Sequence, residues 1–75
     1  MVTVAKRKKR HWSGAKLREL RERAGYTQTE LAEAAEMYPA DVSNYERDKA
    51  EPTFSVLVRL AAALGVGLEA FTPGD

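Results

Sequence analysis

The sequence predicts an all-α fold, a compact five-helix bundle, and three of its features lead to this prediction. Thr27 and Glu30 have the spacing of a capping box, which marks the start of a helix. Pro39 has no amide hydrogen to donate and therefore fits only the first turn of a helix. The apolar residues between Phe54 and Leu64 recur with a helical period.

The first helix is expected to run from about Gly14 to Ala24. Ser13 can accept a hydrogen bond from a free amide at the helix start, and Gly25 can end the helix in a left-handed conformation. The expected buried face consists of Leu17, Leu20 and Ala24.

The second helix is expected to begin at Gln28, directly after the capping box, and to end near Ala35. Tyr26 and Leu31 stand where a hydrophobic staple would close over the helix start. The apolar stripe of Leu31, Ala32 and Ala35 is mostly alanine, which allows another helix to approach closely.

The third helix is expected to run from Pro39 to about Arg47. At about 100° per residue, Val42 and Tyr45 share one face, and Glu46 lies at its border. The opposite side presents Ala40, Ser43, Asn44 and Arg47. A helix with such short side chains on its free face is slim enough to enter a groove.

The fourth helix is expected between a cap at Thr53 and a stop at Gly65. Its periodic apolar positions are Phe54, Leu57, Leu60, Ala61 and Leu64. Val66, Leu68 and Phe71 then form a short apolar segment, for which we expect one turn of a fifth helix.

The composition indicates a single globular domain, with 44% hydrophobic and 31% charged residues in a chain of 75. The absence of cysteine excludes disulfides, thiol nucleophiles and cysteine zinc sites, and one histidine provides no metal cluster. We therefore expect no cofactor, no metal and no enzymatic activity. No apolar run approaches the ~20 residues of a membrane span and no secretory signal is present, so a cytoplasmic protein without membrane contact is expected.

The net charge of +1 conceals an asymmetry between the two parts of the chain. Residues 1–25 contain nine Lys and Arg against two Glu, a net of +7, whereas residues 26–75 contain three against nine acids, a net of −6. The densest basic run is Lys6, Arg7, Lys8, Lys9 and Arg10. A polyanion is therefore the expected partner of the basic end.

Residues 1–12 are expected to form a flexible arm, because such dense like charge resists compaction. The arm is either a solubilising tail or a segment that binds phosphates or a minor groove. We expect His11 on the surface and Trp12 on the outside of the first helix.

Four segments together resemble one known family. They are Tyr-Thr-Gln-Thr-Glu-Leu-Ala at 26–32, Val-Ser-Asn-Tyr-Glu-Arg at 42–47, Glu-Pro at 51–52, and the segment 60–66. The chain resembles the Cro and phage-repressor type of helix-turn-helix, also called the xenobiotic-response-element (XRE) family. The resemblance implies a lambda-repressor-like bundle, with a DNA-binding domain in residues 13–72 and a tail in residues 73–75.

The resemblance also implies roles for individual residues on double-stranded DNA. Ala40, Ser43 and Asn44 map onto positions that face the major groove, where Asn44 can bond N6 and N7 of adenine. Asp41 either accepts from a cytosine amino group or stabilises the helix start through the dipole, and we favour the dipole role. The expected phosphate contacts are Gln28, Thr29, Tyr38, Arg47 and Lys49.

Arg21 and Glu46 match a pair that, in the family, ties the first helix to the recognition helix. By helical phase Glu46 is half-buried, so an unpaired carboxylate there would cost free energy, and the Arg21 guanidinium is a suitable partner. We expect this pair to be structural and not to contact DNA.

The sequence departs from the family pattern at several positions. Tyr38 stands where a Ser or Thr usually caps the recognition helix, and Pro39 and Ala40 replace polar residues that often contact bases. Glu36 replaces the usual turn glycine, which suggests a different turn. Asp48 replaces a second glycine, and we expect a left-handed conformation there because Asp tolerates this region better than most residues.

The leading functional hypothesis is a sequence-specific DNA-binding transcriptional regulator, a repressor associated with the nucleoid. Family members commonly form homodimers with recognition helices about 34 Å apart, and the candidate contact residues are Val56, Leu57, Val58 and Leu68. The same residues could equally belong to the core. The alternative hypothesis is an antitoxin or adaptor on the same fold, with the acidic C-terminal half contacting a protein partner.

Overall fold

The structure, a computed structural model, describes residues 12–72. It contains helices α1 (Gly14–Ala24), α2 (Gln28–Ala34), α3 (Pro39–Glu46) and α4 (Phe54–Leu64), followed by a 3-10 turn (Leu68–Phe71). The all-α prediction is confirmed for this part of the chain, but the count of five helices is wrong, because the last element is a single 3-10 turn. The basic arm with Lys6–Arg10, His11, and the tail at 73–75 lie outside the described residues.

The capping residues that the sequence predicts are confirmed for α1 and α4. The Ser13 hydroxyl accepts from the amide of Lys16 at 3.2 Å, and the Thr53 hydroxyl accepts from the amide of Val56 at 3.4 Å. Gly25 and Gly65 end the two helices with φ of 80° and 71°. These are left-handed conformations that cost glycine little.

The capping box of α2 is confirmed in both directions. The Glu30 amide donates to the Thr27 hydroxyl at 3.0 Å, and the Thr27 amide donates to the Glu30 carboxylate at 2.9 Å. The helix therefore begins at Gln28, where the sequence predicts it. It ends one residue earlier than expected, with Ala35 as its cap.

One core joins all five elements. Its buried apolar residues are Trp12, Leu17, Leu31, Ala32, Ala35, Val42, Leu60, Ala61 and Phe71. Only part of the expected apolar pattern is inside. On α1, Leu17 is buried and Leu20 is half-buried, but Ala24 is exposed, and on α4 the ring of Phe54 is 69% exposed. Ala24 is the last residue of α1 and lies at the surface.

Trp12 occupies the core, so the prediction that it packs on the outside of the first helix is wrong. Its side chain is 2% exposed, and its ring centroid lies 5.4 Å from that of Phe71. The indole Nε1 donates to the carbonyl of Tyr45 at 3.3 Å. The Ser13 amide also donates to the carbonyl of Phe71 at 3.1 Å. The 3-10 turn thus closes over the residues that precede α1.

Within residues 12–72, none of the helices is long and apolar enough to cross a membrane.

Candidate nucleic-acid interface

The turn between α2 and α3 is held by backbone hydrogen bonds. The Met37 amide donates to the carbonyl of Ala32 at 2.9 Å, and the Ala35 amide donates to that of Leu31 at the same distance. Glu36 has a φ of 59°, a left-handed conformation that favours glycine. Glu36, which stands where the family usually has glycine, therefore has a strained backbone conformation.

The inward face of α3 packs on the core as the helical phase predicts. Val42 is fully buried, and Tyr45 is half-buried, with its ring inclined at 76° to that of Trp12 and a centroid distance of 6.3 Å. Burial raises the pKa of the Tyr45 hydroxyl above its ordinary value, with a further contribution from Asp41, while Arg59 opposes the shift. The neutral phenol is therefore the form that the fold favours.

Arg21 and Glu46 form a two-pronged ion pair between α1 and α3. Arg21 Nε donates to Glu46 Oε2 at 2.6 Å, and Nη2 donates to Oε1 at 3.2 Å. The Glu46 side chain is 4% exposed, more deeply buried than its helical phase indicates, and that of Arg21 is 12% exposed. The hydrogen bond to Glu46 raises the pKa of Arg21, although burial opposes it. The Arg21 guanidinium therefore stays charged, as a two-pronged pair with a carboxylate requires.

The same carboxylate also accepts from Gln28 at the start of α2. Gln28 Nε2 lies 3.0 Å from Glu46 Oε1, and Arg21 Nη1 donates to the carbonyl of Tyr26 at 2.9 Å. Glu46 thus joins the end of α3, the last turn of α1 and the start of α2. Gln28 retains a second Nε2 hydrogen and its amide oxygen, because the bond to Glu46 uses one donor only.

The start of α3 is capped in an unusual way. Tyr38 is the N-cap residue, but its side chain makes no capping bond; the Asp41 carboxylate instead accepts from the Tyr38 amide at 3.3 Å. The Asp41 charge also lies at the positive end of the helix dipole. Pro39 follows in the first turn, where the sequence predicts it.

The outward face of α3 lies away from the core. Ala40 and Arg47 are exposed, and Ser43 and Asn44 are partly exposed. Arg47 Nη2 donates to Asn44 Oδ1 at 3.5 Å, which is long and therefore weak for a hydrogen bond. Thr29 at the start of α2 and Lys49 after α3 are exposed as well. The candidate contacts in the described range thus remain accessible.

The contact between Gly14 and Asp48, which holds α3 against α1, was not predicted from the sequence. The Gly14 amide donates to Asp48 Oδ1 at 3.0 Å, so Asp48 caps α1 from the far end of α3. A Cβ at Gly14 would overlap the carbonyl oxygens of Tyr45 and Glu46, so only glycine allows this approach. Asp48 has a φ of 59°, which confirms the predicted left-handed conformation. No local pattern signals the contact, because 34 residues separate its partners.

α2 and α3 are short helices that pack across a tight turn. The core holds the inward face of α3, and its outward face is accessible. This arrangement defines a helix-turn-helix protein. A model of the helix-turn-helix family matches residues 17–71 of the chain, which therefore belongs to this family.

Individual relatives agree with this assignment. The HTH-type transcriptional regulator ImmR of Bacillus subtilis (strain 168) is 39% identical over 56 residues, which are 75% of this chain and 44% of ImmR. The chain thus spans less than half the length of this curated relative.

Solved structures show the same fold. The restriction-modification controller protein C.AhdI from Aeromonas hydrophila matches with a TM-score of 0.75 and 29% identity, over 77% of this chain and 88% of that one. The P22 c2 repressor, solved in complex with a synthetic operator, matches with a TM-score of 0.78 and 25% identity, over 85% and 97% of the respective chains. The bundle is thus lambda-repressor-like, as the resemblance implied.

Proposed function

We propose that this chain is a sequence-specific DNA-binding transcriptional regulator that acts as a repressor. The observation that supports this most directly is the division of α3 into two faces. Val42, Tyr45 and Glu46 fix the helix to the core, while Ser43 and Asn44 remain accessible on the other side. The similarity to the transcriptional regulator ImmR and to the operator-bound P22 c2 repressor supports the same function.

In this proposal α3 enters the major groove. Asn44 bonds the N6 and N7 atoms of an adenine, and Ser43 and Ala40 contact neighbouring base edges. Asp41 is the least suited of the expected base contacts, since its carboxylate accepts from the Tyr38 amide.

The start of α2 binds the phosphate backbone. The amides of Gln28 and Thr29 lie in the first helical turn, where no preceding carbonyl can accept from them, and they can therefore donate to a phosphate. The bond to Glu46 holds the Gln28 side chain in one place beside this site. Arg47, Lys49 and the Tyr38 hydroxyl provide further phosphate contacts, which add affinity without sequence information.

The division of the chain follows from these roles. The basic arm at residues 1–12 adds phosphate or minor-groove contacts, residues 13–72 form the DNA-binding domain, and residues 73–75 are a tail. Trp12, the last residue of the arm, is anchored on Tyr45 and Phe71. A regulator of this kind acts in the cytoplasm, on the nucleoid.

A homodimer would place two copies of α3 on a palindromic site. Of the expected contact residues, Val58 is 43% and Leu68 is 38% exposed, whereas Val56 and Leu57 are half-buried against the core. Val58 and Leu68 are therefore the residues that we assign to the contact. Sedimentation of the wild type and of Val58→Lys at several concentrations tests it, and a monomer at every concentration, with and without a palindromic duplex, would contradict it.

The function is tested by selecting duplexes from a random pool and titrating the selected duplex at several salt concentrations. Log affinity should fall linearly with log salt, and Lys49→Ala should reduce the slope by about one. Asn44→Ala is the matched variant: it should weaken binding to the selected duplex but leave the slope unchanged. Failure to select any sequence, or an affinity independent of salt, would overturn the proposal.

A further inference from the structure

We infer that Tyr38, together with Pro39 and Ala40, contacts the C5-methyl groups of thymine and thereby determines part of the operator sequence. These three residues form the leading edge of α3. The inference rests on the proposed function and names the base chemistry that this edge selects.

The first observation is exposure. Tyr38 is 77% exposed, more than any other large hydrophobic residue in the part of the chain that is described, and Pro39 and Ala40 beside it are exposed too. The other exposed large apolar side chains, Phe54, Val58 and Leu68, belong to α4 and the 3-10 turn. The leading edge is therefore a separate apolar surface on α3.

The second observation is that the fold does not use the Tyr38 ring. A side chain at an N-cap position usually stabilises the helix by accepting from a free amide. Here the ring makes no capping bond, and Asp41 provides the capping carboxylate. The side chain of Tyr38 therefore has no role at the helix start that a smaller residue would not fill better.

The third observation is that two of the three residues of this edge, Tyr38 and Pro39, offer no free backbone amide to a phosphate. Pro39 has no amide hydrogen, the Tyr38 amide donates to Asp41, and the Asp41 amide donates to the carbonyl of Tyr38 at 2.9 Å. The Asp41 carboxylate adds a negative charge, which repels phosphate. The start of α2, with the free amides of its first turn, has the opposite character.

Continuity with Ser43 and Asn44 points to a base edge as the occupant. The leading residues of a recognition helix lie deepest among the bases, and the apolar group that the major groove offers is the thymine methyl. A tyrosine can place its ring on the methyl groups while its hydroxyl reaches a phosphate. Tyr38 can therefore contact a methyl group and a phosphate at the same time. Substitutions at Tyr38 distinguish the contact of the ring from that of the hydroxyl.

The test compares thymine with deoxyuridine, which differs only in lacking the methyl group. In the duplex selected from the random pool, each thymine of the site is replaced singly by deoxyuridine, and binding is titrated for the wild type, Tyr38→Phe and Tyr38→Ser. At one or more thymines the wild type should bind about fourfold more weakly per methyl group removed. Tyr38→Phe should keep this ratio, because it keeps the ring. Tyr38→Ser should bring the ratio close to one.

The outcomes distinguish the inference from the function on which it rests. Equal wild-type affinity for thymine and deoxyuridine at every position would overturn the inference, and so would a thymine-to-deoxyuridine affinity ratio that Tyr38→Ser does not reduce. If the wild type still bound its duplex tightly and selectively, the proposed function would stand. Binding to no duplex would overturn both. Because Tyr38 is exposed and Ser is a good N-cap, both variants should fold, which far-ultraviolet circular dichroism verifies.

Discussion

The two faces of α3 differ in what holds their side chains. On the inward face, Val42 is fully buried and Glu46 accepts three hydrogen bonds from Arg21 and Gln28. On the outward face, Ser43 and Asn44 are partly exposed, and the side-chain bond found there among residues 12–72 is the long contact of Asn44 with Arg47. One helix of eight residues thus divides stability and recognition between its sides.

This difference between the two faces explains how outward residues of α3 can be substituted without loss of the fold. The inward contacts fix the position and the rotation of α3, so outward side chains change without moving the helix. A substitution on the inward face should therefore cost stability, and one on the outward face should change binding. Four experiments test this division.

The largest effect is expected for Glu46→Ala. The variant leaves the Arg21 guanidinium and the Gln28 amide without their acceptor in a site where the Arg21 side chain is 12% exposed. Removing one partner of a buried pair costs ~3–5 kcal/mol, a large part of the ~4–11 kcal/mol expected for a domain of this size. Urea unfolding followed by circular dichroism measures the loss.

The control for Glu46→Ala is Arg47→Ala, which changes the next residue on the exposed side. Its free energy of unfolding should differ from the wild type by no more than about 0.5 kcal/mol. Equal losses in the two variants would show that α3 has no such division.

The second effect is expected for Gly14→Ala. Alanine stabilises an ordinary helix by ~1 kcal/mol relative to glycine, but here its Cβ would overlap the backbone of Tyr45 and Glu46. Because backbone atoms cannot turn aside, α1 must move away from α3, at a net cost of ~1–3 kcal/mol. Gly67→Ala is the control, since its Cβ would meet only the flexible side chain of Glu69. A more stable Gly14→Ala protein would disprove the close approach.

The third effect is expected for substitutions on the outward face of α3. Ser43→Ala and Asn44→Ala should each leave the unfolding free energy within about 0.5 kcal/mol of the wild type. Each lost base contact should weaken binding to the selected duplex by ~1–3 kcal/mol, and Asn44→Ala should also relax the preference at one base pair. Competition with single-base variants of the duplex measures this. Unchanged affinity in both variants would favour the adaptor hypothesis.

The smallest effect concerns Tyr45 at the border of the two faces. Burial raises its pKa in the folded chain above the ordinary value of 10.0, so its contribution to stability is complete below pH 10 and is lost as the pH rises through the raised folded value. Tyr45→Phe keeps the ring against Trp12 and the carbonyl that accepts from it. The stability of the wild type relative to this variant should therefore decline above pH 10 in thermal unfolding. If the stabilities of the wild type and Tyr45→Phe changed in parallel with pH, the raised pKa of Tyr45 would be contradicted.

The sequence by itself determined the four α-helices and the residues that cap them. The capping residues Ser13, Thr27 and Thr53 and the terminal glycines Gly25 and Gly65 are all found in their predicted roles. Each of these signals acts within about four residues, so it is present in the local chain whatever the rest of the molecule does. Helical phase likewise placed Val42 inside and Ala40 outside. The Arg21–Glu46 pair could be proposed only because a family resemblance added what local patterns lack.

Only the tertiary structure decided the contacts that join distant parts of the chain. Trp12 lies before the first helix, so no periodicity assigns it to a face, yet its indole donates to Tyr45, 33 residues away. The bond from Gly14 to Asp48 and the third donor to Glu46, Gln28, depend in the same way on where the helices finally pack. Local hydrogen-bonding and helical period specify elements, whereas the partner of a buried polar group is set by the geometry of the whole core.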